Sequence, residues 1–357
     1  MVRSRGAGGC GRHAPLAAGS PSVRVRAHAP GRVNVIGEHT DYTGGLVLPM
    51  AIDLGTTVVG RRGGDVVRLA SAHAPEEAVV PLDVADPAAA HPAWARYVAG
   101  VVAEVAPTSG LAGEVTTTLP VGAGLSSSAA LEVAVALALG ADQEPLGLAR
   151  RCQRAEQRAS GVPCGIMDQL ASTSGVEGSL LLIDCRTEQV TPVPLPDGVA
   201  VVAVHSGQSR TLASSAYADR LAECRAAEAE IGPLRDATPA DVAGLANQRL
   251  RRRARHVVTE NARVGDFVAA LRAEDLRAAG ELIVASHRSL ADDFEVSTRA
   301  LDQLVERLLA TPGVLGARLT GGGFGGAVVA LVEPGTTVEG WWLRPSAGAS
   351  VVVEEDR

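Results

Sequence analysis

Apolar residues recur along the chain with two periods, and the period predicts the type of each element. Short runs rich in valine and threonine are typical of strands, whereas apolar residues three or four positions apart are typical of helices. The predicted strands are residues 23–27, 47–52, 56–59, 113–119, 180–183, 199–204, 315–320 and 327–332. The predicted helices are residues 94–105, 127–139, 146–159, 211–231, 259–273, 275–289 and 297–310. Because strands and helices do not alternate strictly, an α+β fold is favoured over a doubly wound sheet.

The chain length of 357 residues suits one large domain or two medium ones. Proline and glycine interrupt residues 187–198, which indicates a domain boundary there. We therefore expect an N-terminal domain over 23–192 and a C-terminal domain over 193–357. Residues 1–22 contain Gly, Arg, Ser and Pro without the apolar segment of a signal peptide, so we expect them to be disordered.

Composition excludes several kinds of partner. The formal charge of -7 argues against nucleic acid as the main partner. The longest apolar run, near residues 131–139, is too short to cross a membrane. Five scattered cysteines without a CxxC pair indicate reduced thiols and a cytoplasmic protein. The basic run RRRARH at 251–256 is then expected to be a solvated helix face.

The sequence contains no lysine, so all 33 residues counted as Lys or Arg are arginine. This absence excludes a Walker A loop, whose lysine contacts phosphates, and any enzyme that needs a Schiff-base lysine. If the protein binds phosphate, backbone N–H groups, arginines, hydroxyl groups or a metal ion must provide the contacts.

The segment PVGAGLSSSAALE, residues 120–132, leads from a strand through glycines into an apolar helix. We call residues 122–128 the serine loop. Gly122 and Gly124 allow a tight turn close to a ligand. Ser126 to Ser128 lie where the first helix N–H groups are unpaired, which suits a phosphate, and a serine hydroxyl can also bind Mg²⁺. The alternative is a capped helix after a tight turn.

The segment GRVNVIGEHTDYTGG, residues 31–45, places three polar side chains between glycines. We call residues 37–45 the acidic loop. Its Glu38, His39 and Asp41 can form hydrogen bonds with the vicinal hydroxyls of a polyhydroxylated ligand. The alternatives are a solvated polar turn and a metal site, although the spacing matches neither HExxH nor an EF-hand loop.

Two further segments contain candidate residues. In CGIMDQ, residues 164–169, Asp168 follows an apolar pair, and a partly buried carboxylate is either paired or functional. Arg32 is a candidate partner. Glu156, on the preceding predicted helix, is either a surface charge or a Mg²⁺ ligand. The segment TGGGFGG, residues 320–326, indicates close approach of the backbone to phosphates or to another strand.

Together these motifs resemble those of the GHMP small-molecule kinases and, within that family, the galactokinase-like members. GRVNVIGEHTDYTGG is similar to the signature of those members. PVGAGLSSSAALE resembles the ATP-binding loop of the family, and ARLTGGGFGGA resembles its third motif. The resemblance covers roughly residues 25–335 and includes CGIMDQ, LASSAYADR and RARHVVTE. It implies two α+β domains with the active site in the cleft between them.

The resemblance also implies ATP-dependent phosphorylation of the anomeric C1 hydroxyl of a sugar, with α-D-galactose as the first candidate. Asp168 matches the catalytic base of the family, and Arg32 matches the arginine beside it, which stabilises charge on the transferring phosphoryl group. The positions that match sugar-binding residues are Glu38, His39, Asp41, Gly165 and Tyr217. The positions that match the ATP phosphate loop are Gly122, Ala123, Gly124, Leu125, Ser126, Ser127 and Ser128. Ser128 and Glu156 match the Mg²⁺ ligands, and Trp94 matches an adenine-stacking aromatic or is a core residue.

Departures from the family pattern leave alternatives open. Thr43 stands where Asn is usual, Ala216 precedes Tyr217 where Glu is frequent, and residues 205–210 differ from the usual segment. They raise the possibility of another sugar 1-kinase, acting on N-acetylgalactosamine, arabinose or a uronic acid. A non-catalytic galactose-binding sensor is a third alternative, but such relatives lose part of the serine loop, which is complete here. We expect a monomer that binds a sugar and ATP, without nucleic acid or membrane.

Overall fold

The computed structural model describes residues 23–120, 122–208 and 213–355, with the backbone alone for 213–215. The strands are β1 Val23–Ile36, β2 Leu46–Arg62, β3 Val66–Ser71, β4 Ala78–Pro81, β5 Leu111–Thr117, β6 Ser179–Asp184, β7 Gln189–Pro194, β8 Ala200–His205, β9 Val314–Thr320, β10 Ala327–Val332, β11 Trp341–Leu343 and β12 Ser350–Glu355. The helices are α1 Ala95–Val105, α2 Ser127–Ala138, α3 Pro145–Ser160, α4 Met167–Ser174, α5 Ala213–Ile231, α6 Pro239–Gly244, α7 Gln248–Arg272, α8 Leu276–Asp292 and α9 Arg299–Leu309. Residues 1–22, expected to be disordered, lie outside the described residues.

The larger sheet has the strand order β12-β1-β2-β5-β3-β4, and β6 and β7 extend it from β2. Its pairs are antiparallel except β3 with β5. Strand β1 was expected to end at residue 27, but it continues to Ile36. From Ala29 onward every residue of β1 is buried, so the alternation of apolar and polar residues that identifies a half-exposed strand is lost.

The smaller sheet has the order β11-β8-β10-β9 and is antiparallel throughout. Helices α8 and α9 pack against β9, and α2 packs against β1 and β2 of the larger sheet. One apolar cluster lies between the larger sheet and α1 to α3, and a second contains residues of both sheets together with α7 and α8. The fold is therefore α+β, as the sequence predicts.

The boundary expected near residue 192 stays a prediction. The interrupted segment 187–198 contains strand β7, which pairs with β6. Strand β12 pairs with β1, with Val23 opposite Glu355. Residues 350–355 therefore add an edge strand to the larger sheet, next to the first strand of the described chain. Among the described residues, no helix combines the length and the apolar character needed to span a membrane.

The expectation of a solvated basic face at 251–256 is wrong for part of that run. Helix α7 begins at Gln248, and Arg253 is 1 % exposed. Its Nε lies 2.6 Å from a carboxylate oxygen of Glu223, and its Nη2 lies 2.5 Å from one of Glu295. Because both carboxylates come from other parts of the chain, the local charge pattern did not reveal that this arginine is buried and paired.

Candidate active site

A cavity of about 670 Å³ opens beside the acidic loop and contains most of the sequence-predicted site residues. Residues of α1, α3, α4 and the acidic loop line it, and Tyr217 and Gly322 contribute from the second half of the chain. The predicted site residues on its wall are Arg32, Glu38, His39, Asp41, Trp94, Glu156, Gly165, Asp168 and Tyr217. The sequence motifs, although far apart along the chain, therefore surround one cavity.

Asp168 lies in the first turn of α4, and its side chain is 27 % exposed. Arg32 binds one carboxylate oxygen, Oδ1, from Nε at 2.8 Å and from Nη2 at 2.5 Å. Ser126 donates its hydroxyl to Oδ2 at 2.5 Å. Arg32 is fixed in turn by the carbonyl of Gly124, which accepts from Nη1 at 2.6 Å. The carboxylate is thus held in one orientation, with part of its surface open to the cavity.

The serine loop reaches the cavity through hydrogen bonds. Of its described residues none lines the cavity, but Ser126 bonds to Asp168 and Ser128 bonds to Glu156. Ser126 makes no side-chain cap hydrogen bond with α2, which contradicts the alternative of an ordinary capped helix. Ala123 and Leu125 are buried, each 1 % exposed. The remaining, more exposed positions of the loop are Gly122, Gly124, Ser127 and Ser128.

Glu38 is buried and forms an ion pair that the sequence did not reveal. Its Oε2 accepts from Arg318 Nη2 at 2.8 Å and from the backbone N–H of Gly321 at 2.9 Å. Burial opposes ionisation, but the guanidinium groups of Arg318 and Arg32 hold the pKa of Glu38 below its usual value. The ARLTGGG motif, which contains Arg318, was identified without a role for this arginine. Its side chain joins the third motif to the acidic loop.

His39 lies within a group of aromatic rings. Its ring centroid is 5.9 Å from that of Tyr42, 5.6 Å from that of Tyr217 and 4.8 Å from that of Phe294. Its Nδ1 lies 3.0 Å from the Tyr42 hydroxyl. Burial lowers the pKa of His39 to about 3, so the imidazole is neutral at physiological pH. This burial contradicts the alternative of a solvated polar turn.

Asp41 faces Gly165 across the cavity wall. A Cβ atom at position 165 would lie 2.0 Å from Oδ2 of Asp41, so any larger residue there requires the Asp41 carboxylate to move. Burial raises the pKa of Asp41 to about 7, and the nearby carboxylates of Asp168 and Glu38 add to the shift. Two of the carboxyl groups that line the cavity therefore have different surroundings, because Asp168 is bound by an arginine and Asp41 is packed against a glycine.

Four side chains form an oxygen-rich cluster next to the serine loop. Ser128 donates to Oε1 of Glu156 at 2.9 Å, and Gln169 donates to Oε2 at 2.5 Å. Gln169 also donates to buried Glu132 at 3.2 Å. Burial and then the charge of Asp168 raise the pKa of Glu156 to about 7.

Two oxygen atoms of this cluster, Oε1 of Glu132 and Oε1 of Gln169, are buried and have no hydrogen-bond partner in the described parts of the chain. Hydroxyl and carboxylate oxygens are the ligands that Mg²⁺ prefers, and a cation would relieve the repulsion between the carboxylates. Ser128 and Glu156 therefore fit a Mg²⁺ site. The described residues contain no group of three or more His, Cys, Asp or Glu side chains suited to a metal ion. The alternative that the acidic loop is a metal site therefore gains no support.

Trp94 lies between the core and the cavity, and its role in adenine stacking stays a prediction. It is partly buried against the core beside α1, and one side lines the cavity. Its indole N–H donates to the carbonyl of Glu76 at 3.1 Å, which fixes the ring. Arg96 and Tyr97 also line the cavity, although the sequence analysis did not select them. Thr43, one of the departures, is buried and donates to the carbonyl of Thr40 at 2.9 Å, and it does not line the cavity.

Three family models match the chain. The galactokinase galactose-binding signature matches residues 17–62. The GHMP kinase N-terminal domain matches residues 95–176, and the GHMP kinase C-terminal domain matches residues 267–340.

Curated relatives and solved structures agree with these matches. The chain is 46 % identical over 324 residues to a galactokinase of Homo sapiens, covering 85 % of this chain and 83 % of the relative. It is 44 % identical over 336 residues to a galactokinase of Chloroflexus aggregans, covering 88 % and 85 %. The crystal structure of Lactococcus lactis galactokinase complexed with galactose is 31 % identical, with a TM-score of 0.84 and coverage of 92 % and 95 %.

The crystal structure of Methanococcus jannaschii mevalonate kinase is 19 % identical, with a TM-score of 0.68 and coverage of 92 % of this chain and 100 % of that chain. At this identity the match supports the fold alone. The galactose-binding signature, the two GHMP domains and the extent of the identity all point to one conclusion. The chain belongs to the galactokinase family of the GHMP kinases.

Proposed function

We propose that the enzyme transfers the γ-phosphoryl group of ATP to the C1 hydroxyl of α-D-galactose bound in the cavity beside the acidic loop. The products are galactose 1-phosphate and ADP. The observation that carries this proposal is the Asp168 carboxylate, held by Arg32 and Ser126 and partly open to the cavity. The serine loop contacts this carboxylate through Ser126, and residues of the acidic loop line the same cavity.

Asp168 is the proposed general base, which accepts the proton of the C1 hydroxyl as the oxygen attacks phosphorus. Arg32 orients the carboxylate, and its charge stabilises the negative charge of the transferring phosphoryl group. Its fixed position supports this role, because a preorganised cation needs no rearrangement during the reaction.

The sugar-binding residues that we propose are Glu38, His39, Asp41, Gly165 and Tyr217, all of which line the cavity. Carboxylate oxygens of Glu38 and Asp41 accept hydrogen bonds from sugar hydroxyls. Because Nδ1 of the neutral imidazole of His39 lies beside the Tyr42 hydroxyl, Nε2 is the ring nitrogen offered to the sugar. The ring of Tyr217 supplies an apolar surface close to His39.

The nucleotide is proposed to bind with its phosphates at the serine loop and its adenine against Trp94. The N-terminus of α2 favours anions, so the loop from Gly122 to Ser128 needs no lysine. Ser128 and Glu156 are the proposed ligands of Mg²⁺. When bound with ATP, this ion neutralises phosphate charge and orients the γ-phosphoryl group. A monomer in the cytoplasm remains our expectation.

A coupled assay of ADP release with a panel of sugars tests the proposal. We expect turnover with galactose to exceed turnover with N-acetylgalactosamine, arabinose and galacturonic acid. Turnover with another sugar but none with galactose would replace the substrate assignment. No turnover with any sugar, together with measurable galactose binding, would identify a sensor instead. Because Thr43 does not line the cavity, this departure gives no support to another sugar.

A further inference from the structure

Helix α7 bonds to the backbone at both ends of the acidic loop. At the first end, Glu260 accepts from the N–H of Gly37 at 3.0 Å, and Nε2 of His256 lies 3.0 Å from the carbonyl of Glu38. Because a carbonyl only accepts, His256 donates from Nε2. Immediately after the loop, Oδ1 of Asn261 accepts from the backbone N–H of Leu46 at 2.7 Å.

The side chains that make these contacts are themselves held. Glu260 is fully buried, and it also accepts from Ser286 at 2.6 Å and from Arg263 at 2.7 Å. The amide of Asn261 donates to the carbonyl of Val257 at 3.0 Å, which turns its Oδ1 toward the loop. Gly45 fits tightly against this group, since a Cβ there would lie 2.6 Å from that oxygen.

The same helix supports His39 through a stack of rings. The ring of His256 is fully buried, with its centroid 4.6 Å from that of Phe294. The centroid of Phe294 also lies 4.8 Å from that of His39. The imidazole of His39 therefore packs against Phe294, which in turn packs against His256 of α7.

We propose that His256, Glu260 and Asn261 are positioning residues for the sugar, which act by fixing the backbone of the acidic loop. The described residues of α7 do not line the cavity, so the helix acts through the loop and not by contact with the substrate. A loop that must hold Glu38 and Asp41 near one another needs external bonds, because like charges repel. The proposal deepens the proposed function, since it concerns the affinity of the same sugar site.

Two matched variants of one helix test the proposal. Asn261→Ala removes the acceptor for Leu46. Asn247→Ala removes the N-cap of α7, which accepts from the N–H groups of Arg249 and Leu250 and forms no hydrogen bond with the described residues of the acidic loop. Both replace Asn by Ala and weaken the same helix, so the second is a control for a purely structural effect. Melting temperatures are measured for both variants.

In Asn261→Ala we expect the KM for galactose to rise about fivefold to tenfold, as for the loss of one hydrogen bond. The KM for ATP and kcat should stay within about twofold of the wild type, since the nucleotide contacts are untouched. Hydrogen exchange of peptides covering 37–46 should be faster in Asn261→Ala and unchanged in Asn247→Ala. An equal rise of the galactose KM in both variants overturns the proposal, and so does no rise in Asn261→Ala.

Failure of the proposed function gives a different result. If the wild type phosphorylates another sugar, the substrate assignment is wrong, and the two variants are compared on the KM for that sugar. If the wild type phosphorylates none, galactose affinity by calorimetry replaces the KM. In each case faster exchange of the loop with unchanged sugar affinity overturns the positioning role.

Discussion

Replacement of Asp168 by Asn tests the proposed base with little change of shape. The amide is neutral and cannot accept the proton of the sugar hydroxyl, while Arg32 keeps its bond to the carbonyl of Gly124 at 2.6 Å. The sugar site should therefore stay in place, with a galactose KM within about threefold of the wild type. Loss of a general base lowers kcat about 10²- to 10⁴-fold, which raises the activation free energy by about 2.7–5.4 kcal/mol.

The same change also affects stability, because the guanidinium of Arg32 is 6 % exposed and loses its anionic partner. We expect the free energy of unfolding to fall by about 1–3 kcal/mol, so turnover is measured well below the melting temperature. Asp236→Asn is the matched control, since it removes an exposed aspartate that pairs with Arg186 at the surface. The coupled ADP assay gives kcat and both KM values. A kcat within tenfold of the wild type in Asp168→Asn would refute the role as base.

Three further predictions concern the same cavity. Arg32→Ala should lower kcat more than it raises the KM for galactose, and a change of KM alone would make Arg32 a binding residue only. Gly165→Ala should raise the galactose KM tenfold or more without changing the KM for ATP, because its Cβ would displace the Asp41 carboxylate; an unchanged galactose KM contradicts that packing. Burial, with the charges of Asp168 and Glu38, raises the pKa of Asp41 to about 7. The galactose KM should therefore fall as the pH rises from about 6 to 8, because the ionised carboxylate accepts hydrogen bonds from the sugar. This fall should be smaller in Asp41→Asn. The folded state keeps this proton where the unfolded state releases it, so the contribution of Asp41 to stability falls as the pH rises from about 4 to 7, and urea unfolding at both ends of that range checks the sign.

Helices α1, α2 and α3 were predictable because their signals are local. The structure gives α1 as Ala95–Val105, α2 as Ser127–Ala138 and α3 as Pro145–Ser160, each within about two residues of the expectation. Periodic apolar residues and flanking glycine or proline determine such helices. The second half of β1 was not predicted, because burial on both faces removes the contrast between apolar and polar positions. The helix face expected at 251–256 is the start of α7, but its buried side was not predicted, because the buried residue Arg253 lies in a run of charged residues.

Some contacts of the site residues were predicted from the sequence, and others were not. Asp168 and Arg32 were paired in the sequence analysis, and the structure brings them together. The partners of the acidic loop were not foreseen, since His256 and Arg318 lie more than 200 residues away from Glu38 along the chain. The segment RARHVVTE was noted only as part of the resemblance. A single sequence contains no local signal for contacts that the fold creates between distant segments.

The pairing of β12 with β1 has a consequence for the way the protein is made. During synthesis, β1 leaves the ribosome some 300 residues before the strand that covers its outer edge. Until residues 350–355 emerge, the backbone groups of that edge are open to pairing with other chains. Such long-range contacts form late and slow the folding of a sheet. Once made, the strand that contains Val352 and Val353, which are 57 % and 47 % exposed, takes the edge position, and the edge of β1 is then no longer open to other chains.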